Sequence, residues 1–280
     1  MRGEAIIARS IEATRIKDKH GNRWQYHPQS DRHSRVASWA VMFDLLRTCP
    51  LLQEHIRAGK VGFGINHEMR DFKQNRKKNL DLVLSKAKSV EDDGLTFSAY
   101  GTKAGVVLLP DDAAELARLP ELQAGSVTTV LVALEAKACM TEHVKAQPRL
   151  YDELASSFQT INGDTGSAIA AAFVMINCAD SFVSPKRNLK RVRNGNAKIT
   201  VHKQPDAARV ALAKVLQLPR RSNEQDRGFD AIGVTMVQCR NDGSSVTIDA
   251  KMNAAVEGIV TYNELIQRLA HLYATKFSAI

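Results

Sequence analysis

Apolar residues follow one another almost without a break in two stretches, "TTVLVALEAKACM" (residues 128–140) and "SAIAAAFVMINCA" (167–179). Runs of this kind, rich in small and β-branched side chains, predict strands buried on both faces of a sheet. For the second run a buried helix stays open, because its pattern does not discriminate by period. Elsewhere the pattern is amphipathic. Val36, Trp39, Ala40, Phe43, Leu46 and Arg47 recur at helical spacing, with Ser34 as the expected N-cap and Pro50 as the interruption. A short helix over 51–58 leads into a strand, "KVGFGIN", then a basic connector, "HEMRDFKQNRKKN", and a short β-rich segment, "LDLVLS". Residues 88–124 read as an insertion with a turn "EDDG", a strand near "GVVLLP" and a helix over 111–119 stopped by Pro120. After the first apolar run a helix is expected from about residue 149 to 161, with Pro148 close to its start. Two further helices, Asp206–Leu216 and Tyr262–Lys276, flank a hairpin in "AIGVTMVQCRNDGSSVTIDAK" that turns at 241–243. This order predicts an α/β protein, a mixed sheet flanked by helices with an insertion and a C-terminal extension. The expected division is an N-terminal segment (1–35), a core (36–180), and a basic segment with a C-terminal α/β region (181–280) packed on the core.

Charge narrows the class of partner. The 280 residues carry 39 Lys+Arg against 30 Asp+Glu, a formal +9, which points to a polyanion and to nucleic acid before membrane. Aromatics make up only 6% and are not interleaved with basic residues, so a stacking platform for single strands is not indicated. Cys49, Cys139, Cys178 and Cys239 lie far apart without a CxxC pair and read as reduced core thiols. No apolar segment reaches the length of a membrane span and the N-terminus lacks a signal-peptide core, so a soluble, cytoplasmic protein is expected.

Within the first apolar run stand Glu135 and Lys137, two residues apart and therefore on one face of a strand. Unpartnered burial of both would cost several kcal/mol per ion, so something must share that face. Asp81, a single acid inside "LDLVLS", is the obvious second carboxylate. Two carboxylates and a main-chain carbonyl suit Mg²⁺, which takes oxygen ligands and keeps several waters. Lys137 beside it would orient a water and stabilise negative charge on a phosphate.

Asp81 followed by Glu135, Ala136 and Lys137 at the end of an apolar strand resembles the PD-(D/E)XK nuclease superfamily, the fold of many type II restriction endonucleases. The resemblance spans roughly residues 36–180 and implies a restriction-endonuclease-like core. It implies that Asp81 and Glu135 bind Mg²⁺, with Mn²⁺ able to substitute, that Ala136 lends its carbonyl, and that Lys137 assists the attacking water. Leu80 replaces the proline of the first motif, and the 53 residues between Asp81 and Glu135 require the 88–124 insertion. A carboxylate of the first helix is sometimes recruited as well, with Asp44 and Glu54 as candidates.

Two other short matches exist. Asp71-Phe72-Lys73 sits in the polar connector and reads as a solvated ion pair, whereas Asp249-Ala250-Lys251 with Asp230 is a rival centre. His27, Asp31 and His33 read as an irregular, hydrogen-bonded lead into the first long helix rather than as metal ligands. Glu142, His143, Lys145, Arg149, Asp152 and Glu153 follow the lysine and would line a cleft or form a solvated helix face. Two basic runs carry the nucleic-acid case: Arg70, Lys73, Arg76, Lys77 and Lys78 just before Asp81, and Lys186, Arg187, Lys190, Arg191, Arg193, Lys198 and Lys203. The expectation is a Mg²⁺-dependent endonuclease of double-stranded DNA, a type II restriction enzyme acting as a homodimer and leaving 5′-phosphate and 3′-hydroxyl ends. The alternatives are a repair, junction or phage-defence nuclease, or a DNA-binding protein whose acidic pair is structural.

Overall fold

The computed structural model describes residues 1–72, 74–87, 94–192, 196–256, 258 and 260–280. Helix α1 (Gly3–Ala13) precedes a small hairpin, β1 (Ile16–Lys17) with β2 (Arg23–Trp24), and then come α2 (Arg32–Thr48), α3 (Pro50–Arg57), β3 (Val61–Asp71) and β4 (Arg76–Lys86). Next are α4 (Phe97–Ala104), α5 (Pro110–Arg118), β5 (Val130–Cys139), α6 (His143–Asp164) and β6 (Ile169–Asn177). The chain continues through β7 (Ser181–Val183), β8 (Ile199–Val201), α7 (Asp206–Leu216), β9 (Ala231–Gln238), β10 (Thr247–Ile248), α8 (Ala250–Ala254) and α9 (Tyr262–Lys276).

Six strands form one mixed sheet in the order β10-β9-β6-β5-β4-β3. The central pairs β5/β6 and β6/β9 are parallel, and the outer pairs are antiparallel. Every residue of β6 is buried, as a strand covered on both faces must be. One face packs under α1, α2 and α9, with Trp39, Phe43, Phe173 and Leu265 in that layer. The other packs under α6 and α7, with Leu154, Phe158, Val174 and Ala211. The expected α/β class with a mixed, helix-flanked sheet is what the chain forms.

Residues outside the expected 36–180 core are built into the same layers. Strand β9 is hydrogen-bonded to β6 along its length, and α1 packs on α2. The start of α1 is fixed by Asp44, whose buried carboxylate accepts the N–H groups of Arg2 and Gly3 and the Tyr262 hydroxyl. A carboxylate at a helix N-terminus satisfies donors that the helix itself leaves open.

Several local expectations are corrected. The basic connector is the tip of a long hairpin: β3 and β4 pair from Val61 and Lys86 out to Asp71 and Arg76. Alternation of long polar side chains with Met69 and Leu80 hid it, because only one face of that hairpin is covered. "GVVLLP" is not a strand; Val107 donates its N–H to Ser10 Oγ, and Val106 and Leu108 pack on the core as a connection between helices. Helix α6 starts at His143, so Pro148 lies inside it rather than at its start. Helix α2 begins at Arg32, and Ser34 sits within its first turn, donating to the Asp31 carbonyl. Helix α4 has no counterpart in the expected pattern.

Candidate active site

Strands β4 and β5 are paired as far as Leu82 and Leu134, and Asp81 and Glu135 stand one residue beyond, where the two strands part. Asp81 Oδ2 accepts the N–H of Ala136 at 2.8 Å. In an extended strand the N–H and C=O of one residue point to the same edge. The Ala136 carbonyl is therefore turned toward the β4 side, where Asp81 lies. Glu135 is only 2% exposed, and Lys137 Nζ meets its Oε1 at 2.6 Å. The same-face geometry expected of Glu135 and Lys137 is thus realised as a direct ion pair.

Two further side chains complete the cluster. Lys78, projecting from β4, approaches Glu135 Oε1 at 3.6 Å and donates to the Glu153 carbonyl. Glu153, on α6, lies 3.6 Å from Lys137 Nζ and accepts from Arg149 Nε at 2.6 Å. Burial and then Asp81 push the Glu135 carboxyl above its ordinary range, and burial likewise raises Asp81 against the opposing pull of Ala136 N–H and Lys137. Burial works against the Lys137 ammonium, but Glu135, Asp81 and Glu153 outweigh it and hold it above the usual lysine value. For Lys78 burial wins and its ammonium is weakened.

The donor chemistry fits a hard cation. Glu135 Oε2 is buried and has no hydrogen-bond partner among the described residues, a costly state for a carboxylate oxygen. With Asp81 it presents an all-oxygen donor set beside the Ala136 carbonyl. Among the described residues no group of three or more His, Cys, Asp or Glu side chains is placed to cage a metal. A cation held here would keep several waters, as Mg²⁺ does. Asp44 does not join, being occupied at α1, and Glu54 is exposed on α3.

Asp81, Ala136 and Lys137 open onto a cleft of about 490 Å³. Its walls come from Tyr26 to Ser34, from the start of α6 with Lys145, Arg149 and Glu153, and from Ser184 to Lys186. His33 lies tilted against Tyr26, its ring centroid 4.9 Å away. Burial and then Lys137 hold the His33 imidazole down at about 4. Sequence reasoning did not foresee Ser34 at the cleft wall or Lys78 inside the carboxylate cluster. Lys78 stands in a basic run that reads as phosphate contacts, and its spacing from Asp81 carries no signal, since residues three apart on a strand point to opposite faces.

The remaining expected residues are spread over the surface. Arg76 reaches Gln159 of α6 and Lys77 pairs with Glu68 on the opposite face of the hairpin, so neither enters the cleft. Lys145 and Lys186 line it, and Arg187 lies 3.7 Å from Glu142. Lys190, Arg191 and Lys198 are exposed beyond it, and Arg193 and Lys73 fall outside the described residues. Asp71 is buried in the hairpin, not solvated, and packs against Gly163 of α6.

The rival centre is taken apart. Asp249 caps α8 through the Met252 N–H, Lys251 is helical, and Asp230 pairs with Arg221 at 2.7 Å. Asp249 bonds to Met236 and Asp230 precedes Ala231, which puts them at opposite ends of β9, about 20 Å apart at a strand's rise per residue. Compared with models of protein families, with curated proteins and with solved structures, the chain matches none.

Proposed function

We propose that the chain is a Mg²⁺-dependent endonuclease that hydrolyses phosphodiester bonds of double-stranded DNA, in the manner of a type II restriction enzyme, with Mn²⁺ able to substitute. One observation carries this reading: Asp81 and Glu135 meet where β4 and β5 part, with a buried carboxylate oxygen that no donor among the described residues satisfies and Lys137 beside it. Mg²⁺ held by Asp81, Glu135 and the Ala136 carbonyl would supply Lewis-acid polarisation and acidify water. Lys137 is kept protonated by its carboxylate neighbours, so its part is to donate to a phosphate oxygen and to hold the attacking water in line. Water attacks the phosphorus, the bond to the 3′ oxygen breaks, and that oxygen leaves with a proton. Lys145 and Lys186 at the cleft and Lys190, Arg191 and Lys198 beyond it grip the backbone. Cutting both strands needs two such sites, hence a homodimer. The four cysteines are free and buried, in keeping with the reducing cytoplasm, and among the described residues no helix is long and apolar enough to cross a membrane.

Supercoiled plasmid incubated with the protein tests the reading. Conversion to linear product in Mg²⁺, absent in chelator and absent with Glu135→Gln, is the expected result. Persistence of supercoiled DNA under all conditions, with the folded wild-type chain, refutes it.

A further inference from the structure

The N-terminal hairpin β1/β2 is not absorbed by the site, yet it is fastened to the basic loop between β7 and β8. Asn22 Nδ2 donates to the Lys190 carbonyl at 3.1 Å and Asn22 Oδ1 accepts the Val192 N–H at 2.8 Å. The hairpin is itself stiffened by Asp18, which accepts from Trp24 Nε1 and from the main chain of His20 and Asn22. Those bonds consume the one carboxylate of the hairpin. What remains outward is Lys17, Lys19 and Arg23, all exposed and none within an ion pair among the described residues. The same is true of Lys186, Lys190, Arg191 and Lys198 on the loop it grips.

Lys17 and Arg23 are direct partners across the two-stranded ladder. Like charges placed opposite one another destabilise an antiparallel pair. A bridging anion would offset that repulsion. The segment that leaves β2, Tyr26 to Ser34, is one wall of the catalytic cleft, and the basic loop, as it leaves β7, contributes Ser184 to Lys186 to another. Both hairpins therefore extend from the cleft itself.

We propose that β1/β2 is a phosphate clamp: Lys17, Lys19 and Arg23 continue the track of Lys186, Lys190, Arg191 and Lys198 and hold the backbone of a duplex outside the cleft. This rests on the nuclease reading, since the same substrate runs through both. The clamp touches phosphates alone, so it adds affinity and register without reading sequence.

Binding of the full chain, in chelator, to duplexes of about one and about four helical turns tests the clamp. Replacing Lys17, Lys19 and Arg23 together by Ala is expected to flatten the salt dependence on the long duplex by ~0.9 for each phosphate left without its cation, about two to three units in all. The short duplex bound in the cleft should show little change, and single-turnover cleavage at saturating protein should be unaltered. Lys17→Glu, which restores an opposite-sign pair with Arg23, should raise the Tm of the free protein in low salt and weaken the long duplex. If wild-type protein binds and cleaves but the triple variant keeps the full salt slope, the clamp is rejected and the nuclease reading stands. If wild-type protein neither binds nor cuts duplex, both fall. Loss of binding to phosphatidylserine vesicles in the triple variant, with duplex binding intact, would reassign the hairpin to membranes and also reject the clamp.

Discussion

Asp81 and Glu135 are each displaced from their ordinary range in the direction that disfavours the charge the proposed metal binding would require. Because their folded values lie above the unfolded carboxylate range near 4, the native chain binds protons more tightly than the unfolded one there. In chelator these two groups therefore favour folding at low pH, and that contribution is lost as pH rises through the raised folded values. Asp81→Asn keeps an oxygen for the Ala136 N–H while removing one of the two charges. We expect it to stabilise the metal-free protein by about 1 kcal/mol at neutral pH, to cancel the Mg²⁺-dependent rise in Tm, and to abolish cleavage. Denaturant unfolding of both proteins at acid and neutral pH, with and without Mg²⁺, together with plasmid cleavage, checks all three. An Asp81→Asn variant less stable than wild type would mean that the buried acid is a structural anchor. Lys137→Ala should keep DNA binding and lose roughly 10² to 10⁴ in turnover, the range for a charge-stabilising or proton-transfer group. Lys137→Arg should recover little, since a guanidinium offers its donors in a different plane. Single-turnover rates with Mg²⁺ affinity measured alongside distinguish a missing donor from a missing metal.

Elements differ in how openly the sequence declares them. The strands β5 and β6 are legible as continuous apolar runs buried on both faces, although that of β6 fits a helix as well, and α7 and α9 are legible by one apolar stripe each. Asp81, Glu135 and Lys137 were legible for a related reason, as charges stranded inside apolar strands. The outer half of the β3/β4 hairpin was not, since its exposed face is as polar as any loop. Nor was the N-terminal hairpin, whose ladder is only two residues long on each strand and leans on the side-chain bonds of Asp18. Lys78 was misplaced because a basic residue in a charged run gives no local sign that a carboxylate from another strand awaits it. Besides the bonds of Arg76 and Lys78 to α6, the β3/β4 hairpin approaches that helix closely at Gly163, where an added methyl group would stand 2.4 Å from the Asp71 carboxyl carbon. Gly163→Ala should cost about 1 to 3 kcal/mol by overpacking and speed amide exchange in β3 and the outer half of β4. Retained protection there would show that the hairpin yields without strain.

At the scale of the whole molecule, the walls around the carboxylate and lysine cluster come from segments well before and well after it, Tyr26 to Ser34 and Ser184 to Lys186. Neutralising Lys186, Lys190 and Lys198 together should weaken duplex binding for every sequence and flatten the salt dependence by about one unit for each phosphate-bound charge neutralised. Sequence-independent weakening with an unchanged slope would return these residues to ordinary solvation. The wall itself is closed by Asn241, whose side chain accepts the Tyr26 N–H at 2.8 Å and donates to the carbonyls of Tyr26 and Val183. That clasp joins positions 215 residues apart, and it sets an order in time. A ribosome adds about 5 to 20 residues per second, so Asp81, Glu135 and Lys137 emerge many seconds before Asn241 can fasten the wall beside them. On the proposed reading the nascent chain carries its carboxylates and lysine while lacking the surface that would hold DNA against them, and it becomes a nuclease only after Asn241 has been added.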